Sequence, residues 1–264
     1  MAIEDNASIA LIPSGYKSGK LYSVIPDSGN GDFTFSRSNT TATRVGANGL
    51  IENVSSNVPR LDYPLIDGVV QDCPALLLEP SRQNRFIRSE EFDNSTWIKT
   101  RSSIIANQVT APNGSNTADE LREDTQTGAH YFYDIDYNRS DQNTFSIFAK
   151  YKGNDRGLAI SFGGASTGTA YFNLRDGVIE TNNADRAVMI KYPNDWYRCV
   201  ITEDPTSTFD PIFYIYQIGN TSSTSYTGDG SSGIYLWGAQ AELASYETSY
   251  IPTTSSLVTR SADV

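Results

Sequence analysis

The chain has 264 residues, a net charge of −11 and a pI near 4.5, and 38% of its residues are hydrophobic. That length suits one large β-sandwich with an additional segment. The acidity excludes the Lys/Arg stripe that a phosphate backbone requires, so no nucleic-acid partner is expected. Sixteen Tyr and eleven Phe, alongside β-branched residues, point to pleated strands rather than helices.

The opening run MAIEDNASIALIPSGYKSGK lacks a basic stretch followed by a long apolar one, so neither a secretory signal nor membrane insertion is expected. Such a chain stays in the cytosol or leaves the cell outside the general secretion route. From Met1 to about Pro80 the apolar runs are short and broken by Gly, Ser, Asn and Pro, as in ASIALIP, GKLYSVIP, FTFSR, GLIENV and CPALLLEP. This pattern predicts an extended, strand-containing N-terminal arm (residues 1–80). With no long periodic stretch, the arm must gain stability by packing on the rest of the chain or on a neighbouring subunit.

Over residues 81–264 the strands become longer and alternate. HYFYDIDY (130–137), TFSIFAKY (144–151), GLAISF (157–162), TAYFNL (169–174), WYRCVIT (196–202), IFYIYQI (212–218) and GIYLWGAQAE (233–242) are each bounded by Gly, Asn, Asp or Pro clusters. In TFSIFAKY the alternation sends Phe145, Ile147 and Ala149 into a core and leaves Ser146, Phe148 and Lys150 on an available face. Asp176-Gly177 predicts an antiparallel hairpin joining strands near Phe172 and Val178. Several such strands with long returns predict an all-β, antiparallel jelly-roll sandwich. The Ser/Thr/Gly run from Gly219 to Gly233 reads as an exposed loop.

Catalytic signatures are thin. His130 is the only histidine and has no neighbouring nucleophile in sequence, so a local polar contact is its expected role. The acidic pairs Glu90/Glu91 and Asp134/Asp136 have the chemistry of a glycosidase dyad, but such pairs are common in a chain this acidic. GxGxxG, P-loop, HExxH and CxxC motifs are absent, and neither a catalytic nor a metal-ligand set is assigned. Cys73 and Cys199 form no framework and are expected to be buried small hydrophobes. No cofactor is called for; a structural Ca²⁺ is compatible with the oxygen-rich runs DYNRSDQN and YTGDGSSG, neither of which has full EF-hand spacing. The aromatics say more, because alternation places Tyr214 and Tyr216 opposite Phe213 and Ile215, and Trp97, Tyr131, Tyr133, Tyr137, Trp196, Tyr197, Tyr235 and Trp237 cannot all face inward with them. Exposed Tyr or Trp suits a sugar ring or a partner subunit.

The runs FTFSRSNTTATRVGANGLIENVSSNVPRLDYP, CPALLLEPSRQN and SEEFDNSTWIKT resemble a module of bacteriophage tail-fibre and virion structural proteins. Downstream, NGSNTADEL, TFSIFAKY, NDWYRCVIT and YTGDGSSGIYLWGAQAELASYETSYIPTTSSLVTRSADV are similar to the concanavalin-like carbohydrate-binding jelly roll that accompanies it. The resemblance implies a structural appendage of the virion, assembled in the host cytoplasm: a head fibre, tail fibre or decoration subunit. It further implies a homotrimer attached through its N-terminal segment to capsid or tail proteins, and binding of cell-surface or mucus glycans. With about twenty residues before the first matching motif, a short accessory such as a head fibre or tail-tip decoration fits at least as well as a long receptor-binding fibre, and the lack of an appended hydrolase or lyase lowers the depolymerase expectation. The glycan-binding candidates are Trp97, His130, Arg198, Tyr214, Tyr216, Trp237 and Gln240. Two rival readings are a connector without ligand, in which the same aromatics join subunits, and a polysaccharide-degrading enzyme.

Overall fold

The computed structural model describes residues 7–135, 142–163, 168–204, 212–219 and 223–264. Among them there is no helix; the chain is built from antiparallel strands. The arm is a series of short pairings. Strands β1 (Ala10–Lys17), β2 (Lys20–Ile25) and β3 (Phe33–Thr34) form a three-stranded sheet, and β4 (Ala42–Val45) pairs with β5 (Ile51–Val54). Next, β6 (Arg60–Asp62) pairs with β9 (Ala75–Leu77), enclosing the small hairpin of β7 (Leu65–Ile66) and β8 (Val69–Val70). Cys73 lies in this region and is exposed, contrary to expectation, because the chain between β8 and β9 runs over the surface; Cys199 is buried, and burial pushes its thiol up.

The body follows β10 (Arg82–Asn84), and its strands are β11 (Ile98–Thr100), β12 (Ser102–Val109), β13 (Ala118–Glu123), β14 (Thr127–Ile135), β15 (Asn143–Tyr151) and β16 (Gly157–Gly163). They continue with β17 (Thr169–Asn173), β18 (Val178–Asn182), β19 (Arg186–Tyr192), β20 (Trp196–Glu203), β21 (Ile212–Ile218), β22 (Ser225–Thr227) and β23 (Gly233–Leu243), and β24 (Val258–Arg260) returns to pair with β10. One sheet has the order β12-β13-β23-β15-β20-β19, the other β11-β14-β21-β16-β17-β18 with β22 beside β14. Within them, β13-β23-β15-β20 faces β14-β21-β16-β17, the interleaved strand order of a jelly roll. The Asp176-Gly177 hairpin is present: Gly177 adopts φ 70° and Asn173 pairs with Val178. The run 219–233 is not wholly loop, since Ser225–Thr227 pairs with Thr127–Ala129 on β14.

The central core lies between the sheets and takes Phe132, Phe145, Ile147, Ile160, Phe172, Phe213 and Ile215 from the inward positions of alternating strands. Phe86 and Trp97 close one end, their rings 4.8 Å apart, with Phe86 reaching Phe145 (5.5 Å) and Phe213 (5.2 Å). A second core lies on the other side of the six-stranded sheet. Phe148, Trp196 and Trp237, on the face expected to be available, pack with Val45 and Ile51 of the arm and with Tyr250. The arm covers this face, which is why seven consecutive residues of β15, from Asn143 to Ala149, are buried instead of alternate ones.

A buried ion network fastens the arm. Arg60 bonds Glu79 (2.7 Å), Ser249 (2.7 Å) and Asp263, Arg37 bonds Asp263 (2.9 Å), and Arg260 bonds Glu79 (2.8 Å). The three arginines are at most 1% exposed. Because Arg37, Arg60 and Glu79 come from the arm and Ser249, Arg260 and Asp263 from the C-terminal segment, the separated sequence motifs FTFSR, VPRLDYP, LLLEPSR, TSYIP and VTRSADV meet at one point. Buried Asn84 adds a neutral tie, donating to the carbonyls of Ala239 (3.1 Å) and Ile251 (2.8 Å) and accepting from the amides of Phe86 and Ala241 (both 3.2 Å).

Candidate functional site

Alternation along β14 and β21 sends Phe132, Phe213 and Ile215 to the core and Tyr131, Tyr133, Tyr214 and Tyr216 to the opposite face of the seven-stranded sheet. Register places Tyr131 beside Tyr216 and Tyr133 beside Tyr214, so the four rings form a two-by-two block. Their centroids are 5.0 Å (Tyr131–Tyr216), 5.3 Å (Tyr133–Tyr214) and 5.5 Å (Tyr214–Tyr216) apart. Central strand β16 contributes only small groups on this face. Ala159 sits between Tyr216 and Tyr171 of β17, and Ser161 between Tyr214 and Thr169. The ring of Tyr214 lies where a Cβ on Gly163 would be (2.3 Å), so glycine at that position makes room for the ring. Edge strand β11 extends the face with exposed Ile98 beside Tyr133 and with Thr100 beside Tyr131.

All five tyrosines are half-buried, and among the described residues their hydroxyls make no hydrogen bond. Burial, followed by neighbouring tyrosines, pushes the Tyr214 and Tyr216 phenols up, which keeps both hydroxyls neutral at physiological pH. It offers aromatic surface together with hydroxyls that can donate and accept, a combination suited to flat, hydroxyl-rich ligands.

The seven sequence candidates divide. Tyr214 and Tyr216 stand on this face. Trp97 (1% exposed), His130 (0%), Arg198 (4%), Trp237 (1%) and Gln240 (0%) are buried in the chain and present nothing to a ligand on this surface. Trp97 belongs to the central core and donates its indole N–H to the Arg88 carbonyl (2.9 Å), and Trp237 belongs to the second core. His130 makes the local polar contact expected of it, donating from Nδ1 to the Arg101 carbonyl (2.7 Å), with its ring 4.7 Å from that of Tyr226. Gln240 accepts the Ile251 amide (2.6 Å) in the second core's polar margin, where Arg198 donates to Ser146 and to the Thr248 carbonyl. Tyr131, Tyr133 and Tyr171 belong to the site although they were not among those candidates; for the first two, the alternation of HYFYDIDY carries the signal.

Glu90 and Glu91 are engaged by separate partners. Glu90 accepts from the Tyr250 hydroxyl (2.9 Å) and Glu91 pairs with Arg88 (2.7 Å), while Asp136 lies outside the described residues. In YTGDGSSG both carboxylate oxygens of Asp229 are engaged by Ser231 and Ser232 at 2.5–2.9 Å, which closes the loop on itself. Residues 136–141 of DYNRSDQN, and with them Tyr137, lie outside the described residues, among which no cluster of three metal-ligating side chains occurs.

No protein-family profile and no curated protein matches the sequence. Among solved structures, the chain is similar to the enzymatically active domain of bacteriophage CBA120 tailspike protein 4, with 16% identity and a TM-score of 0.37 over 61% of this chain and 21% of that one. It is also similar to the CBM22-1 xylan-binding domain from Paenibacillus barcinonensis Xyn10C (11% identity, TM-score 0.38, covering 62% of this chain and 94% of that one). A third similarity is to a putative sugar-binding protein from Bacteroides thetaiotaomicron (9%, TM-score 0.34, covering 61% and 94%). The chain thus spans about a fifth of the tailspike domain, and likeness at this level carries no function over to it.

Proposed function

We propose that this chain is a binding protein, not an enzyme, and that it takes glycans on the tyrosine face of the seven-stranded sheet. The observation that carries the reading is the block of Tyr131, Tyr133, Tyr214 and Tyr216, whose hydroxyls find no partner among the described residues. A pyranose presents C–H bonds on its faces and hydroxyls around its rim, which match ring surface and phenolic oxygens respectively. A single shallow site of this kind is weak, and repeated copies on one particle raise its effective strength.

The motif resemblance supports the wider setting: a structural subunit of a phage virion, a head fibre, tail fibre or decoration protein. It assembles in the host cytoplasm as a homotrimer and attaches to capsid or tail through the N-terminal segment. A glycan array probed with the assembled protein and with the double variant Tyr214→Phe/Tyr216→Phe tests the binding. Signal confined to the unaltered protein supports it, whereas uniform silence favours the connector reading, in which the tyrosines meet sister chains. A truncation starting near Gln83 that still enters particles would refute attachment by the arm.

A further inference from the structure

On the opposite side of the sandwich the arm does not close fully on the six-stranded sheet. A cavity of about 210 Å³ remains, with Thr43 and Asp62 from the arm, Tyr192 and Arg198 from β19 and β20, and Glu247 and Tyr250 from the C-terminal segment in its wall. Arg198 is 4% exposed and is an exception among the buried arginines. Arg37, Arg60 and Arg260 each have a carboxylate partner, but among the described residues no carboxylate lies within ion-pair distance of Arg198. Its Nε and Nη2 donate to the Ser146 hydroxyl (3.3 and 3.0 Å), its Nη1 to the Thr248 carbonyl (2.8 Å), and its guanidinium lies over the Phe148 ring. The Tyr192 side chain is a further hydrogen-bonding neighbour, so the partners of this cation among the described residues are neutral.

The remaining charges in the wall are accounted for. Arg44 pairs with Glu52 (2.7 Å), Glu79 with Arg60 and Arg260, and Glu247 with Arg186 (2.6 Å). Asp62 is the other group without a counter-ion at ion-pair distance; it accepts the Val45 amide (2.8 Å), and burial pushes its carboxyl up. A buried cation without a counter-charge is unfavourable unless something supplies one.

We propose that this cavity is a second binding site, independent of the tyrosine face, for a small carboxylate, with Arg198 as its anion-binding group. The planar guanidinium fork suits a carboxylate better than a point charge would, and Asp62, also in the wall, opposes the incoming charge. Two sources present such a group: a free organic acid, or an acidic sugar residue whose hydroxyls would also meet Tyr192, Ser249 and Tyr250.

Calorimetric titration of the full chain with acetate, glucuronate and glucose at constant ionic strength tests this. Saturable binding of both carboxylates is expected, with glucose failing to displace acetate, and glucuronate binding about tenfold tighter than acetate identifies the acidic sugar as the source, equal binding the free acid. Arg198→Gln should abolish binding. Asp62→Asn, which keeps an acceptor for the Val45 amide, should strengthen it about threefold or more, a direction that a loss of folding cannot mimic. Acetate binding should not respond to changes on the tyrosine face, which lies on the other sheet. Absence of saturable carboxylate binding up to about 50 mM, binding that survives Arg198→Gln, or weakening by Asp62→Asn in a folded variant would each overturn the proposal.

Discussion

On the six-stranded sheet, the side chains that point away from the central core include Phe148, Trp196 and Trp237, and all three are covered by the arm and the C-terminal segment. On the seven-stranded sheet the corresponding positions hold Tyr131, Tyr133, Tyr214 and Tyr216, half-buried and leaning on one another. Both sets arise from the same two-residue alternation. Their difference in chemistry follows what lies above them: beneath the arm, ring bulk and apolar surface are consumed in a second core, whereas the uncovered face keeps aromatics that carry a hydroxyl. Polar groups divide in the same way, since Arg198, Gln240 and Ser146 on the covered face are tied to protein partners while the tyrosine hydroxyls make no hydrogen bond among the described residues.

The comparison can be broken most forcefully at the network that holds the arm down. Arg60→Ala leaves Asp263 and part of the Glu79 charge buried with fewer partners. Removing one member of a buried pair costs about 3–5 kcal/mol, so a urea unfolding midpoint should fall sharply and early protease cuts should concentrate in the arm. Phe148→Ala probes the second core directly. If the face is as well packed as the central core, truncation should cost about 3–5 kcal/mol by the same measurement, and a cost under about 1 kcal/mol would show that the arm merely rests on the sheet.

Much of the sandwich was readable in advance, because strands such as IFYIYQI alternate strictly between Gly- and Asp-rich breaks; the run 212–218 coincides with β21. What escaped notice has physical reasons. Strand β13 (ADELRE) reads as a charged surface segment, yet Glu120 and Glu123 are buried because Lys152 and Arg156 meet them at 2.6 and 2.7 Å from distant parts of the chain. The burial of Trp237 and Arg198 was hidden for the same kind of reason: periodicity shows that a strand has two faces, not whether a remote segment will cover the second. Tyr214 and Tyr216 were legible because their neighbours Phe213 and Ile215 claim the core; Tyr171 was not, since TAYFNL gives no sign that it will sit across Ala159 from Tyr216.

The inward face of the six-stranded sheet also makes a pH signature. Asp119 is 2% exposed, and burial raises its carboxyl to about 6 despite hydrogen bonds from the Asn107 and Phe92 amides. Between about pH 4 and 6 the folded chain holds a proton that the unfolded chain has released, so this group's contribution to stability grows as pH falls through that window. The gain is on the order of 2–3 kcal/mol at most. The difference in unfolding free energy between the protein and Asp119→Asn should therefore shift in the protein's favour between pH 7 and pH 4.5, and a difference independent of pH would place the carboxyl in its ordinary range.

The smallest effect is expected on the open face, and its smallness is the point. Tyr214→Phe/Tyr216→Phe removes two hydroxyls that have no partner among the described residues and leaves both rings against Tyr131 and Tyr133. Stability should change by less than about 0.5 kcal/mol, because no buried hydrogen bond is lost and the apolar contacts persist. If those hydroxyls serve a ligand, binding falls while folding does not, a separation that truncating a core ring such as Phe148 on the covered face cannot produce. A stability loss well above that bound would mean that the hydroxyls are already engaged within the chain, and the tyrosine block would then be a third packed surface, not a site.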